Sequence, residues 1–168
     1  MKYSFDAKGH VHTLDGQPLM GTSTVVKEVM PPFLAKWGAQ CAVDHLKTVT
    51  DDYTGAVMAW SKSRDKSADA GTAMHAALEE YVKLCITAGG GEPIGYSDGV
   101  ERVGRFVEWA HKYVDRFIFA EKNTYSSTLW VGGQVDCLAL LKSGLLVVID
   151  FKSSREAYFS SFVQCAGY

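Results

Sequence analysis

The chain has 168 residues, 47% hydrophobic and 21% charged, and its 17 Lys+Arg against 19 Asp+Glu give a formal charge of −2. That composition excludes intrinsic disorder and fibrous repeats, no apolar run approaches the ~18–20 residues needed to cross a bilayer, and the N-terminus lacks a signal-peptide core. The chain therefore reads as a soluble, cytoplasmic domain of ordinary size, with no membrane partner. Any nucleic-acid partner must be met by a local site rather than by bulk charge.

In chain order, residues 3–20 carry turn signals around Lys8-Gly9 and Asp15-Gly16 and predict a small hairpin, with His10 and His12 alternating onto one face. Surface residues are the ordinary reading of such a histidine pair. Thr22, Ser23 and Thr24 cap a short helix that Pro31-Pro32 ends. A second helix is predicted from Phe33 to about Lys47, and a third from about Asp51 to Ser61, with Asp51 and Asp52 at its positive end. Residues 62–67, with Lys62, Arg64 and Lys66, read as a basic connector, either a solvated loop or a strip that touches phosphate. A longer helix over about 68–87 presents Met74, Leu78, Tyr81 and Cys85 to the core and stops at Gly89-Gly90-Gly91. Another is expected over about 98–117 on the spacing of Val100, Val103, Val107, Ala110, Val114 and Phe117. Segments 117–126, 129–141 and 145–152 read as strands, and 156–168 as a last helix. The sum is an α+β (mixed α/β) fold in a single domain, 1–168, with a helical N-terminal half against a three-strand antiparallel meander.

Cys41, Cys85, Cys137 and Cys165 show no Cys-x-x-Cys spacing and read as reduced thiols, mostly buried. Cys41 and His45 stand one helical turn apart, half of a zinc site without a visible second half.

The informative stretch is Gly132 to Lys152. Lys142-Ser143-Gly144 suits a three-residue hairpin loop with Gly in the left-handed position. Counting outward from it, 140 faces 146, 138 faces 148 and Asp136 faces Asp150. Period-two alternation puts Asp136, Leu138, Leu140, Leu146, Val148, Asp150 and Lys152 on one face. The apolar runs on both faces predict a sheet covered on both sides. Two facing carboxylates repel unless a shared proton, a cation or neighbouring ammonium groups intervene. Lys152 supplies one positive charge and a divalent metal would supply the rest. The plainer alternative is a pair of aspartates at solvated strand ends.

Taken in order, Gly71-Thr72-x-x-His75, Gly132-Gly133-x-x-Asp136, Asp150-Phe151-Lys152-Ser153 and Gln164-x-x-x-Tyr168 resemble the PD-(D/E)XK nuclease superfamily. The closest branch is the RecB-like exonucleases, including phage-encoded members. The resemblance covers roughly residues 60–168 and extends loosely over the first sixty. It implies a restriction-endonuclease-like core and a Mg²⁺- or Mn²⁺-dependent deoxyribonuclease, an exonuclease of phage or bacterial recombination and repair with a possible recombination partner protein. It implies Asp136, Asp150 and Lys152 as catalytic residues. His75, Asp136, Asp150 and the Phe151 carbonyl become metal ligands, the imidazole favouring Mn²⁺. Gln164 and Tyr168 steady the site or the nucleic-acid strand; Thr72, Ser153 and Arg64 are candidate phosphate contacts. Val135 stands where the superfamily name has proline. Relatives continue beyond the Gln-x-x-x-Tyr helix with another strand, and some carry an iron–sulfur cluster built on cysteines beyond it. Here nothing follows Tyr168, so no cluster is expected. Glu79 and Glu121 are left open, as are strand preference, DNA against RNA, and oligomeric state. The alternative function is an inactive nucleic-acid-binding module that keeps the fold.

Overall fold

A computed structural model describes residues 1–29, 34–154 and 156–168. The predicted stop at Pro31-Pro32 and helix start at Phe33 lie outside the described residues. The chain begins with a ribbon of β1 (Tyr3–Asp6), β2 (Val11–Leu14) and β3 (Gln17–Pro18), antiparallel in that order. It continues through β4 (Met20–Gly21) into α1 (Thr22–Val29) and α2 (Leu34–Thr48). Then come α3 (Tyr53–Ala88), α4 (Glu101–Tyr113), β5 (Val114–Ser126), β6 (Val131–Leu141), β7 (Leu146–Ile149) and α5 (Phe159–Ala166). The fold is mixed α+β. β6 is the spine of the second sheet. β5 flanks it antiparallel along its length, β7 pairs antiparallel with its C-terminal half, and β4 pairs parallel at Val131–Gly132.

Two predicted boundaries are corrected. The basic connector at 62–67 is not a loop: α3 runs unbroken through it for 36 residues, about 54 Å at ~1.5 Å per residue. Lys62 to Ser67 contain neither Gly nor Pro, and a polar stretch without breakers is simply a solvent-exposed helix segment. Asp52 caps the helix, accepting from Gly55 N at 2.9 Å. The second correction is α4, which ends at Tyr113, so Val114 and Phe117 begin β5 instead of completing the helical stripe. Their helical spacing was met across a junction. Both still enter the same core with Val103, Val107 and Ala110, because the chain turns back over the same ground, and Val-Asp-Arg-Phe-Ile-Phe suits a pleated surface.

That core joins Met74, Leu78, Tyr81, Val82 and Cys85 of α3 to one face of β6 through Cys137 and Ala139. Of the four cysteines, all free, Cys85 and Cys137 are buried while Cys41 and Cys165 are partly exposed. His45 is engaged by Asp52 at 2.9 Å, so it serves the α2–α3 corner rather than half of a zinc site. The sheet is not covered on both sides throughout: Leu146 is 60% and Val148 36% exposed. Helices cover the Cys137–Ala139 face there, and the opposite face is open. His12 also departs from the surface reading. It is 3% exposed, with its Nδ1 2.6 Å from Tyr3 Oη, and His10, just outside β2 at φ +52°, keeps its ring 6.0 Å away.

Candidate metal and phosphate site

The β6–β7 hairpin has the register that the loop residues dictate. Gly144 takes φ +86°, Leu141 N donates to Leu145 O at 2.8 Å, and the ladder runs Leu140–Leu146, Leu138–Val148, Cys137–Ile149. One step further, Asp136 and Asp150 stand across from each other. Phe151 locks the junction. Its backbone N–H donates to Asp136 Oδ2 at 2.6 Å, while its ring is buried edge-on against His75 (centroids 5.8 Å apart) and Phe106 (5.3 Å). α3 thereby delivers His75 to the strand: its Nδ1 lies 3.8 Å from Asp136 Oδ2.

The carboxylates are unequal. Asp150 has a side chain only 3% exposed, with Lys152 Nζ 2.6 Å from its Oδ2; that oxygen makes no hydrogen bond among the described residues. Asp136 is partly open. Its carboxyl is held above the ordinary range, first by burial and then by the charge of Asp150; the Phe151 N–H, His75 and Lys152 oppose the shift without cancelling it. Lys152, partly exposed, pairs with Asp150, and its charge also reaches Asp136.

The segment at the end of α5 packs beside the N-terminal half of β6 and α1. Gln164 Nε2 donates to Tyr168 Oη at 2.5 Å, one helical turn on. The Tyr168 ring lies on Gly133, where an added Cβ would come within 2.9 Å of ring carbon Cε1 and 2.6 Å of Thr22 Oγ1. Burial and the charges of Asp150 and Asp136 outweigh the Gln164 hydrogen bond and push the Tyr168 hydroxyl up to about 12. Gln164 and Tyr168 are thus brought to the acid pair. Ser153 abuts α3 at Gly71, its Oγ 3.2 Å from where a Cβ would stand. Thr72 is exposed, but its hydroxyl donates to Ala68 O at 3.0 Å. Arg64 is the candidate set apart: it lies about three turns up α3 from His75.

Two acids left open by the sequence belong to the neighbourhood. Between the pairs Ala120–Cys137 and Lys122–Val135, Glu121 stands across β5 from Asp136, in a left-handed conformation (φ +46°) unusual for a non-glycine residue. Its carboxyl is raised by desolvation and by its contact with Glu79, with Lys83 opposing. Glu79 is bonded to Lys83. Their i,i+4 spacing was the available signal; the link to Glu121 crosses from helix to strand and had none. Cys165 was also missed. It feels the charges of Asp150 and Asp136, although burial is the larger reason that its thiol is raised. With Arg102, Arg105, Phe106, Trp109 and Phe162 it lines a cleft of about 870 Å³ that reaches Asp150 and Lys152.

Two carboxylates and an imidazole are a hard-oxygen set with one nitrogen, the donors that suit Mg²⁺ or Mn²⁺. One lysine for two facing acids leaves charge for a cation to neutralise. The donor chemistry fits such an ion, although among the described residues no three His, Cys, Asp or Glu side chains are grouped closely enough to hold one as they stand.

No family model matches the chain, and comparison with curated proteins gives no match. Among the described residues no helix is long and apolar enough to cross a membrane.

Proposed function

We propose that this chain is a divalent-metal-dependent nuclease that hydrolyses phosphodiester bonds of DNA, with cytoplasmic DNA as its substrate. The observation that carries the reading is the meeting at one strand junction of His75, Asp136, Asp150 and Lys152, from three separate stretches of sequence. A Mg²⁺ or Mn²⁺ ion bound there supplies Lewis-acid polarisation of a phosphate oxygen and a more acidic water.

The chain's own residues do the rest. Asp136 and Asp150 offer facing oxygens, and His75 offers a nitrogen to the same side of Asp136. The carboxyl of Asp136 is raised first by burial and then by the charge of Asp150, and a cation between the two acids would relieve their repulsion. Phe151 fixes Asp136 through its N–H and His75 through its ring, so the donor groups need little reorganisation. Lys152 sits where charge develops on the attacked phosphate and offsets it. Tyr168, bonded to Gln164, lies within reach of the charges of both acids and is the group from α5's end that could steady a bound strand.

The test is incubation with Mn²⁺ and end-labelled single- and double-stranded oligonucleotides, with products sized over time. Shortening that Asp150→Ala or Lys152→Ala reduces by about 10³-fold, roughly 4 kcal/mol of barrier, supports the reading. Wild-type rates in those variants, or binding without cleavage under every metal, would overturn it; the second result would mark a binding module that keeps this fold.

A further inference from the structure

Because α3 does not break at 62–67, Arg64 has a fixed relation to the candidate site. At 100° per residue it projects within about 20° of the direction of His75, and it lies ~16 Å along the same helix. On that face of α3 the helix residues between them are Ser67, Ala68, Gly71 and Thr72, none bulkier than threonine, with Ser153 packed on Gly71. Lys62 and Lys66 point to the opposite side by the same count. Arg64 is also held. Its guanidinium carbon lies 5.0 Å from the centre of the Trp60 ring, and its Nη2 lies 2.8 Å from Asp65. Trp60 in turn is seated against α2, where a Cβ on Gly38 would meet the indole at 3.3 Å. A stacked guanidinium loses little freedom on binding; its Nε and Nη2 face Asp65, which leaves the Nη1 hydrogens for a phosphate oxygen.

We propose that the nucleic-acid strand leaving the candidate site runs along α3, and that Arg64, braced by Trp60, holds a backbone phosphate there. This rests on the nuclease reading and adds a substrate requirement to it. A stacked strand rises ~3.4 Å per nucleotide, so Arg64 is reached about five nucleotides from the phosphate at His75. Substrates shorter than that do not reach it.

The experiment measures fluorescence anisotropy of labelled oligo-dT 3-mers and 10-mers with the full chain in Ca²⁺, across a salt series. The wild type should bind the 10-mer about tenfold tighter than the 3-mer. Arg64→Ala should remove most of that advantage and lower the salt slope for the 10-mer by about 0.7, the value for one single-strand phosphate contact. It should leave the 3-mer unchanged, and Lys66→Ala, of equal charge on the far face, should leave both unchanged. Equal losses in Arg64→Ala and Lys66→Ala, no length advantage in the wild type, or no binding at all would each overturn the proposal. Arg64 and Lys66 are exposed, so neither change threatens folding. Cleavage that ignores Arg64 would sink this inference alone. Length-dependent binding through Arg64 without Mn²⁺ cleavage would sink the nuclease reading and leave the strand path standing.

Discussion

The two halves of β6 are built in different ways. From Val131 to Val135 the strand is crowded on both faces. The His12 side chain presses on Gly132, Thr22 and Tyr168 press on Gly133, and Thr22 Oγ1 donates to Gly132 O at 3.2 Å. From Cys137 to Leu141 one face is sealed by α3 and α4, while the other passes to Leu146 and Val148 in solvent. Asp136 sits where the crowded half gives way to the half-open one. A carboxylate in either half would be poorly placed, desolvated without relief in the first and far from Lys152 and His75 in the second. At the boundary it keeps access to solvent and substrate while its partners come from buried elements.

That contrast can be broken by substitution, most forcefully at the boundary. Asp136→Asn should cut Mn²⁺-dependent cleavage by about 10³-fold and yet raise thermal stability at neutral pH. The folded-state carboxyl titrates above its unfolded value of 3.8, so its favourable contribution is present below that value and is lost as pH rises through the folded pKa. At pH 7 the ionised group opposes folding, and removing its charge relieves this, worth about 2–4 °C in Tm per kcal/mol in a chain of this size. Mn²⁺ should raise the melting temperature of the wild type and not of the variant, as scanning calorimetry would register.

In the crowded half, Gly133→Val should cost about 1–3 kcal/mol through overpacking against Thr22 and Tyr168. It should also displace the Tyr168 ring, so tyrosine fluorescence and Mn²⁺-dependent activity should fall together. His12 gives a smaller, pH-dependent effect. Burial, and then the neighbouring His10, lower its pKa from 6.5, and Tyr3, Phe5 and Gly132 enclose it without a carboxylate among the groups that touch it. Below pH 6.5 the unfolded chain takes up the proton more readily than the folded one, so stability falls with pH until the folded pKa is passed. His12→Gln should flatten that slope in urea titrations at pH 7 and pH 5.5. The smallest effect belongs to the open half, where Leu146→Thr should change stability by no more than about 0.5 kcal/mol. A larger loss there would mean that the face is covered in solution.

Much of the site could be read from residues because its logic is local. A hairpin loop of Lys142-Ser143-Gly144 sets register, register sets which side chains face, and Asp136 opposite Asp150 follows by counting. The Gln164–Tyr168 pair is likewise one helical turn. What escaped reading depended on elements distant in sequence. His12 looked like half of a surface pair, but β2 folds onto Gly132 and buries it. Glu121 stayed open until β5 aligned it with Asp136 and α3 carried Glu79 alongside. The 62–67 segment was misjudged for another reason: polar composition marks exposure, and exposure is compatible with loop and helix alike.

The sequence by itself determined the α+β class, the β6–β7 register and the facing acids, because period, turn chemistry and breakers act over a few residues. The tertiary structure alone decided which faces are covered, that α3 is one rod from Tyr53 to Ala88, and that His75 lies against Asp136. Those outcomes depend on how long-range apolar contacts, such as Phe151 between α3, α4 and β6, share a single core, and no local pattern encodes that choice.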